Sequence, residues 1–108
     1  MAADEMSDRA LESIEVAKTT GKIRKGVNEV TKAIEKGLAK LVVVAKDVSP
    51  PELIMHLQVL CQEKNVPFVE VKTREELGVS AGLSVPTAAV AIVQEGEAKN
   101  LIKSFGKA

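Results

Sequence analysis

Asn28, Glu29 and Lys32 carry the residue types that can read a nucleobase, at a spacing that puts them together. On a helix, 28 and 32 are i and i+4, and 29 and 32 are i and i+3, so all three lie on neighbouring rows of one face. A carboxylate accepts from guanine N1–H and N2–H2. A lysine donates to guanine O6 or N7, and an asparagine can do either. Glu29 would repel phosphate, so the trio suits base edges better than a phosphodiester backbone. The residues just before it suit the backbone. Gly26-Val27 stand where the helix would begin; its free amides favour an anion, and glycine lets a phosphate come close. Arg24 and Lys25 flank that point. The plainer alternative is a solvated face with a Glu29–Lys32 pair, worth roughly 0.2–0.5 kcal/mol. Regular duplex RNA has a deep groove too narrow for a helix, so an RNA target would be bulged, kinked or looped.

A second feature is Gly82-Leu83-Ser84-Val85-Pro86-Thr87, an apolar loop stiffened by proline. It reads either as packing or as an apolar cap over an unstacked base, with Leu53 lining the same pocket. Two phenylalanines, with no tyrosine or tryptophan, leave no aromatic platform for stacking single-stranded bases. Nothing nominates a catalytic site, a metal site or a cofactor. There is no glycine-rich dinucleotide loop, no Walker lysine loop and no paired-histidine zinc motif. His56 and Cys61, the only histidine and cysteine, lie five residues apart. That is roughly 140° apart around a helix, so they do not form a nucleophilic pair. His56 reads as an ordinary helix residue and Cys61 as a small core residue. Glu75-Glu76 reads as support for a helix start.

The elements that must position these residues alternate. Met6, Ala10, Leu11, Ile14 and Ala17 recur at helical spacing over 4–18, with Asp4 or Ser7 as candidate caps. Thr19-Thr20-Gly21 ends that helix. Ile23–Lys25 is a short extended piece. Val27–Lys36 returns to helical period, and Gly37 sits where such a helix stops. The β-branched apolar run Leu41–Ala45 reads as a strand buried on both faces. Ser49-Pro50-Pro51-Glu52 opens a helix whose buried face is Leu53, Ile54, Leu57, Leu60 and Cys61. Asn65-Val66-Pro67 turns into a strand over Phe68–Val71. Thr73 to Glu76 is a capping-box pattern for a brief helix. Ala88–Val93 is a further strand, and Ala98–Phe105 a last helix. The alternation predicts an α/β layered fold in one domain, 1–108.

Net charge is zero, but it is segregated. Lys18 to Lys46 holds eight bases against Glu29 and Glu35, net +6, while residues 1–17 carry −4 and residues 47–108 carry −2. The basic segment is the one containing the trio. No apolar run approaches the roughly 20 residues needed to span a bilayer. Met1–Asp8 is acidic and lacks the basic flank and apolar stretch of a signal peptide. The expected location is the cytoplasm.

Taken in order, several motifs resemble the L-seven-Ae family of ribosomal and small-ribonucleoprotein proteins. The strongest is Lys25-Gly26-Val27-Asn28-Glu29-Val30-Thr31-Lys32. Val44 to Glu52, His56-Leu57 with Leu60-Cys61, Glu63 to Pro67, and Leu77-Gly78 with Ala81 to Pro86 support it. The resemblance spans roughly residues 5–105 and looks more like an archaeal than a eukaryotic member. It implies a three-layer α-β-α sandwich with a four-stranded mixed sheet, Ile23–Lys25 supplying the fourth strand. It also implies binding to kink-turns, in which tandem sheared G·A pairs follow a bulge and bend the RNA sharply. Residues matching Asn28, Glu29 and Lys32 then read the guanines. Those matching Lys25 and Lys36 approach phosphates. Those matching Leu53, Arg74, Val85 and Pro86 surround the extruded nucleotide.

The expected RNA-binding set is therefore Lys25, Gly26, Asn28, Glu29, Lys32, Lys36, Leu53, Arg74, Leu83, Ser84, Val85 and Pro86. The implied targets are ribosomal RNA, box C/D and box H/ACA guide RNAs and the RNA of RNase P. Protein subunits of the same particles are the implied further partners. Two departures stand out: Ser49 replaces an acid found in many members, and Val85 replaces an arginine found in some. The expectation is a non-enzymatic RNA-binding protein, monomeric when free. The rival is a protein-interaction subunit with only generic RNA affinity, docking through its acidic first helix or C-terminal helix.

Overall fold

The computed structural model describes residues 3–47, 52–94 and 96–98. The elements are α1 (Ala3–Thr20), β1 (Lys22–Lys25), α2 (Val27–Glu35), β2 (Leu41–Ala45), α3 (Glu52–Lys64), β3 (Phe68–Val71), α4 (Arg74–Ser80) and β4 (Ala89–Gln94), followed by a 3-10 turn over Gly96–Ala98. They form one four-stranded sheet in the order β1-β4-β2-β3. β1 and β2 each pair antiparallel with β4, and β2 pairs parallel with β3. The sheet is therefore mixed, as expected.

Alternation along the strands builds two cores. Leu41, Val43 and Ala45 of β2, Val69 and Val71 of β3, and Val90 and Ile92 of β4 face one side. Ala10, Ile14 and Ala17 of α1 and Leu77 of α4 cover them. Val42 and Val44 of β2 and Ala89 and Ala91 of β4 face the other side, under Val30, Ala33 and Ile34 of α2 and Leu57 and Cys61 of α3. This is the α-β-α sandwich. All five β2 residues are buried, which is what a continuous β-branched run requires of a central strand. Burial of each large side chain contributes about 1.5–3 kcal/mol. Ser13, buried on α1, is satisfied by donating to the Arg9 carbonyl at 2.8 Å. β1 is an edge strand whose exposed Lys22, Arg24 and Lys25 discourage pairing with another chain.

The pairing directions decide where function can gather. Lys25 lies opposite Val90, Val44 opposite Ala89, and Ala45 opposite Val71. The ends of β1, β2 and β3 and the start of β4 thus share one end of the sheet. The loop at 26, residues 46–47 after β2, the loop at 72–73 and the chain entering β4 at 82–88 all lie there.

Two expectations change. α1 already includes Ala3, so Asp4 and Ser7 lie within the helix and do not cap its start. The strand expected from Ala88 begins at Ala89 and continues to Gln94. The caps Ser49 and Pro50, the side chains of Leu53 and Ile54, and the last helix beyond Ala98 lie outside the described residues.

Candidate nucleic-acid interface

α2 begins on Gly26, whose φ of 95° and ψ of 150° fall where an L side chain is strained. Glycine is required there by the backbone conformation and not by lack of space, since a Cβ would meet nothing within 4 Å. No side chain caps the helix start, so its first-turn amides face outward free for an anion. The Gly26 amide itself donates to the Ala89 carbonyl at 2.9 Å, locking the helix start to β4. Val30, Ala33 and Ile34 are buried against the sheet. The opposite phase leaves Asn28, Glu29, Lys32 and Lys36 exposed. Arg24, Glu29, Lys32 and Lys36 line one cleft of about 150 Å³ with Ala33 and Leu38. One carboxylate therefore stands among three cations. No hydrogen bond or ion pair joins Glu29 to Lys32 among the described residues, so both keep their polar atoms for a ligand.

The 83–86 loop forms the other half. Leu83, Ser84, Val85 and Pro86 line a cup of about 340 Å³ whose far wall is Glu75 and Val79 of α4. That is the small end of the usual range for ligand clefts, about 300–1,000 Å³. Val79 and Val85 are 70% and 61% exposed, an unusual outlay of apolar surface for neighbouring residues. Leu83 is half-buried and also packs on the α1-side core. The cup is closed at both ends by backbone bonds, Leu83 N–H to the Gly78 carbonyl at 2.9 Å and Thr87 N–H to the Arg74 carbonyl at 3.2 Å. Gly78 permits the wall to come close: a Cβ there would lie 2.4 Å from the Val85 carbonyl oxygen.

Arg74 opens α4, and Thr73 caps that helix by accepting from the Glu76 amide at 3.2 Å. The Arg74 amide donates to Asp47 at 2.9 Å, and its guanidinium Nε lies 3.6 Å from the same carboxylate oxygen. Lys25 is exposed at the end of β1, and Lys36 is exposed at the C-terminal cap of α2. Of the expected set, then, Glu29, Lys32 and Lys36 share the cleft and Leu83 to Pro86 share the cup. Leu53 is the second residue of α3, with its side chain outside the described residues. The sequence reading missed Glu75 and Val79 as cup wall. Their i and i+4 spacing puts them on one face of α4, but only the loop folded beside that face makes it a wall.

His56 is exposed on α3 while Cys61 is buried, so they do not meet. Burial pushes the Cys61 thiol up to about 12, which leaves it without a thiolate near neutral pH. Among the described residues no cluster of histidine, cysteine, aspartate and glutamate could hold a metal ion, and no helix is long and apolar enough to cross a membrane.

Fold and surface together define a three-layer α/β sandwich that gathers a charged helix start and an apolar cup at one end of its sheet. A sequence model of the ribosomal protein L7Ae/L30e/S12e/Gadd45 family matches residues 8–102, and the chain belongs to that family. Among solved structures it is similar to the Giardia lamblia 15.5kD RNA binding protein, at 30% sequence identity. The match covers 95% of this chain and 86% of that one, with a TM-score of 0.88.

Proposed function

We propose that this protein binds RNA sharply bent at tandem sheared G·A pairs, the kink-turn, and so nucleates a ribonucleoprotein particle. Asn28, Glu29 and Lys32 read the guanine edges. Lys25, Lys36 and the free first-turn amides after Gly26 hold phosphates, and the cup of Leu83 to Pro86, with Arg74 and Leu53, receives the extruded nucleotide. The bent RNA is a minor state that the protein stabilises by binding it preferentially. No chemical step is assigned; residues 1–108 act as one binding domain in the cytoplasm, monomeric when free. Ribosomal RNA, box C/D and H/ACA guide RNAs and RNase P RNA are the target classes, with the proteins of those particles as further partners.

The observation that supports this reading most is the shared end of the sheet. A base-reading trio without internal partners and an exposed apolar cup both hang from β4. A purely cationic surface would need neither Glu29 nor the cup. The test is equilibrium binding to a short labelled kink-turn, against the same RNA with both G·A pairs made Watson–Crick. Tight binding to the first alone is expected. Equal binding to both would reduce the site to a generic cationic surface. Binding to neither would make this a protein-interaction subunit.

A further inference from the structure

Asp47 is not part of the RNA-facing set, yet it stands at the head of a continuous chain of bonds through that set. Its Oδ1 accepts from the Arg74 amide at 2.9 Å and lies 3.6 Å from the Arg74 guanidinium. The Arg74 carbonyl accepts from the Thr87 amide at 3.2 Å. The buried Thr87 hydroxyl donates to the Ala89 carbonyl at 3.3 Å, and that same carbonyl accepts the Gly26 amide at 2.9 Å. Asp47 is itself held to the sheet, because its neighbour Lys46 donates to the Val71 carbonyl at 2.8 Å. The chain thus runs from the loop after β2, through the first residue of α4 and the end of the cup, to the start of α2.

We propose that Asp47 is a positioning residue that sets the cup against the base-reading start of α2, through its bond to the Arg74 amide. This rests on the RNA-binding reading above. The physical reason is placement. The cup has one wall on α4 and one on the 83–86 loop, and Thr87 ties the second to Arg74. α4 has only seven residues, from Arg74 to Ser80, too few to fix its own direction. Asp47 anchors its first amide to the sheet, and so anchors both walls at once. The Asp47 side chain is 43% exposed, so removing it opens no core cavity.

The test is a cycle of two RNAs and three proteins. One kink-turn is intact; the other is abasic at the extruded nucleotide. Affinities are measured for wild type, Asp47→Ala and Asp47→Asn, each checked for wild-type circular dichroism. Asp47→Ala is expected to lose about tenfold on the intact RNA and less than about twofold on the abasic one, since it disturbs only the cup. Asp47→Asn keeps an acceptor for the amide and is expected to recover most of that loss. Equal losses on both RNAs, or none on either, overturn the proposal; so does an asparagine variant as weak as alanine, which would make the charge the active element. Should Asp47→Ala not fold, Asp47→Ser takes its place with the same expectation. Failure of the RNA-binding reading has a different signature: wild type then ignores both RNAs, and Asp47 is left with a structural role only.

Discussion

Gly78→Ala separates the close-approach role of this glycine from its helix propensity. Gly78 lies inside α4, where alanine would ordinarily stabilise by about 1 kcal/mol. The structure reverses that sign. An alanine Cβ would stand 2.4 Å from the Val85 carbonyl oxygen and 3.2 Å from the Pro86 Cα. The loop must retreat by about 1 Å to regain ordinary contact distance. It has little freedom to do so, because Leu83 and Thr87 pin it to α4 at both ends and Pro86 stiffens it between. Overpacking of this kind costs about 1–3 kcal/mol. After the propensity gain the net loss is about 0–2 kcal/mol, or up to roughly 15 °C in Tm for a domain of this size. Thermal and urea unfolding of the variant measure it, and kink-turn affinity measured alongside should fall because the cup changes shape. A Gly78→Ala protein with raised Tm and unchanged affinity would refute the reasoning: the loop would have slack, and propensity alone would remain.

The other predictions concern the binding face and the buried thiol. Glu29→Ala and Lys32→Ala should each weaken kink-turn binding by about 5–150-fold, the value of about 1–3 kcal/mol per base contact. Both residues are exposed, so unfolding curves should stay put; unchanged affinity in both variants would remove the trio from the site. Lys36→Ala should lower the salt slope of binding by about one counterion with little change in sequence preference, measured from affinity against salt concentration. Cys61 titrates from 9.0 when unfolded and from about 12 when folded, so the unfolded chain loses its proton first. Stability is therefore full below 9.0 and should fall as pH rises from there toward about 12, which urea unfolding at successive pH values checks.

What local physics dictates could be read from the sequence. The run Leu41–Ala45 is a strand to the residue, because a continuous β-branched stretch has no stable home except a sheet covered on both sides. Thr73 caps Glu76 as the spacing requires, and Gly26 and Gly37 mark the two ends of α2 with positive φ. β1 was the weakest signal. Only Ile23 of its four residues is apolar, and the strand exists because β4 offers an open edge. Pairing of that kind is decided by tertiary structure. The same holds for the site. The face of α2 follows from helical geometry within a few residues, so the shared exposure of Asn28, Glu29 and Lys32 was legible. The bond from Arg74 to Asp47 spans 27 positions and leaves no local trace. Val79 escaped notice for a related reason: exposed valine on a short helix becomes meaningful only when the loop from Leu83 to Pro86 folds back beside it.

The charge pattern gains its sense from the layers. The exposed cations Lys22, Arg24 and Lys25 lie on the β1 edge, and Lys32 and Lys36 lie on α2. The exposed acids Asp8, Glu12 and Glu15 lie on α1, with Glu75 and Glu76 on α4, in the opposite layer. A zero net charge therefore coexists with a directional field. At distances beyond a Debye length, about 8–10 Å, a polyanion feels little net pull. Close to the β1 edge and its cleft against α2 it meets an excess of cations, and close to α1, where Asp8, Glu12 and Glu15 outnumber Arg9 and Lys18, it meets mild repulsion. Such a protein gains little from binding RNA indiscriminately, because nonspecific affinity grows with the number of phosphates neutralised. On the RNA-binding reading proposed above, discrimination would come from contacts made only at short range, with Glu29 the sharpest of these. A carboxylate opposes any phosphate placed against it and favours a guanine edge in the same position, so on that reading one side chain would both reject the wrong surface and recognise the right one.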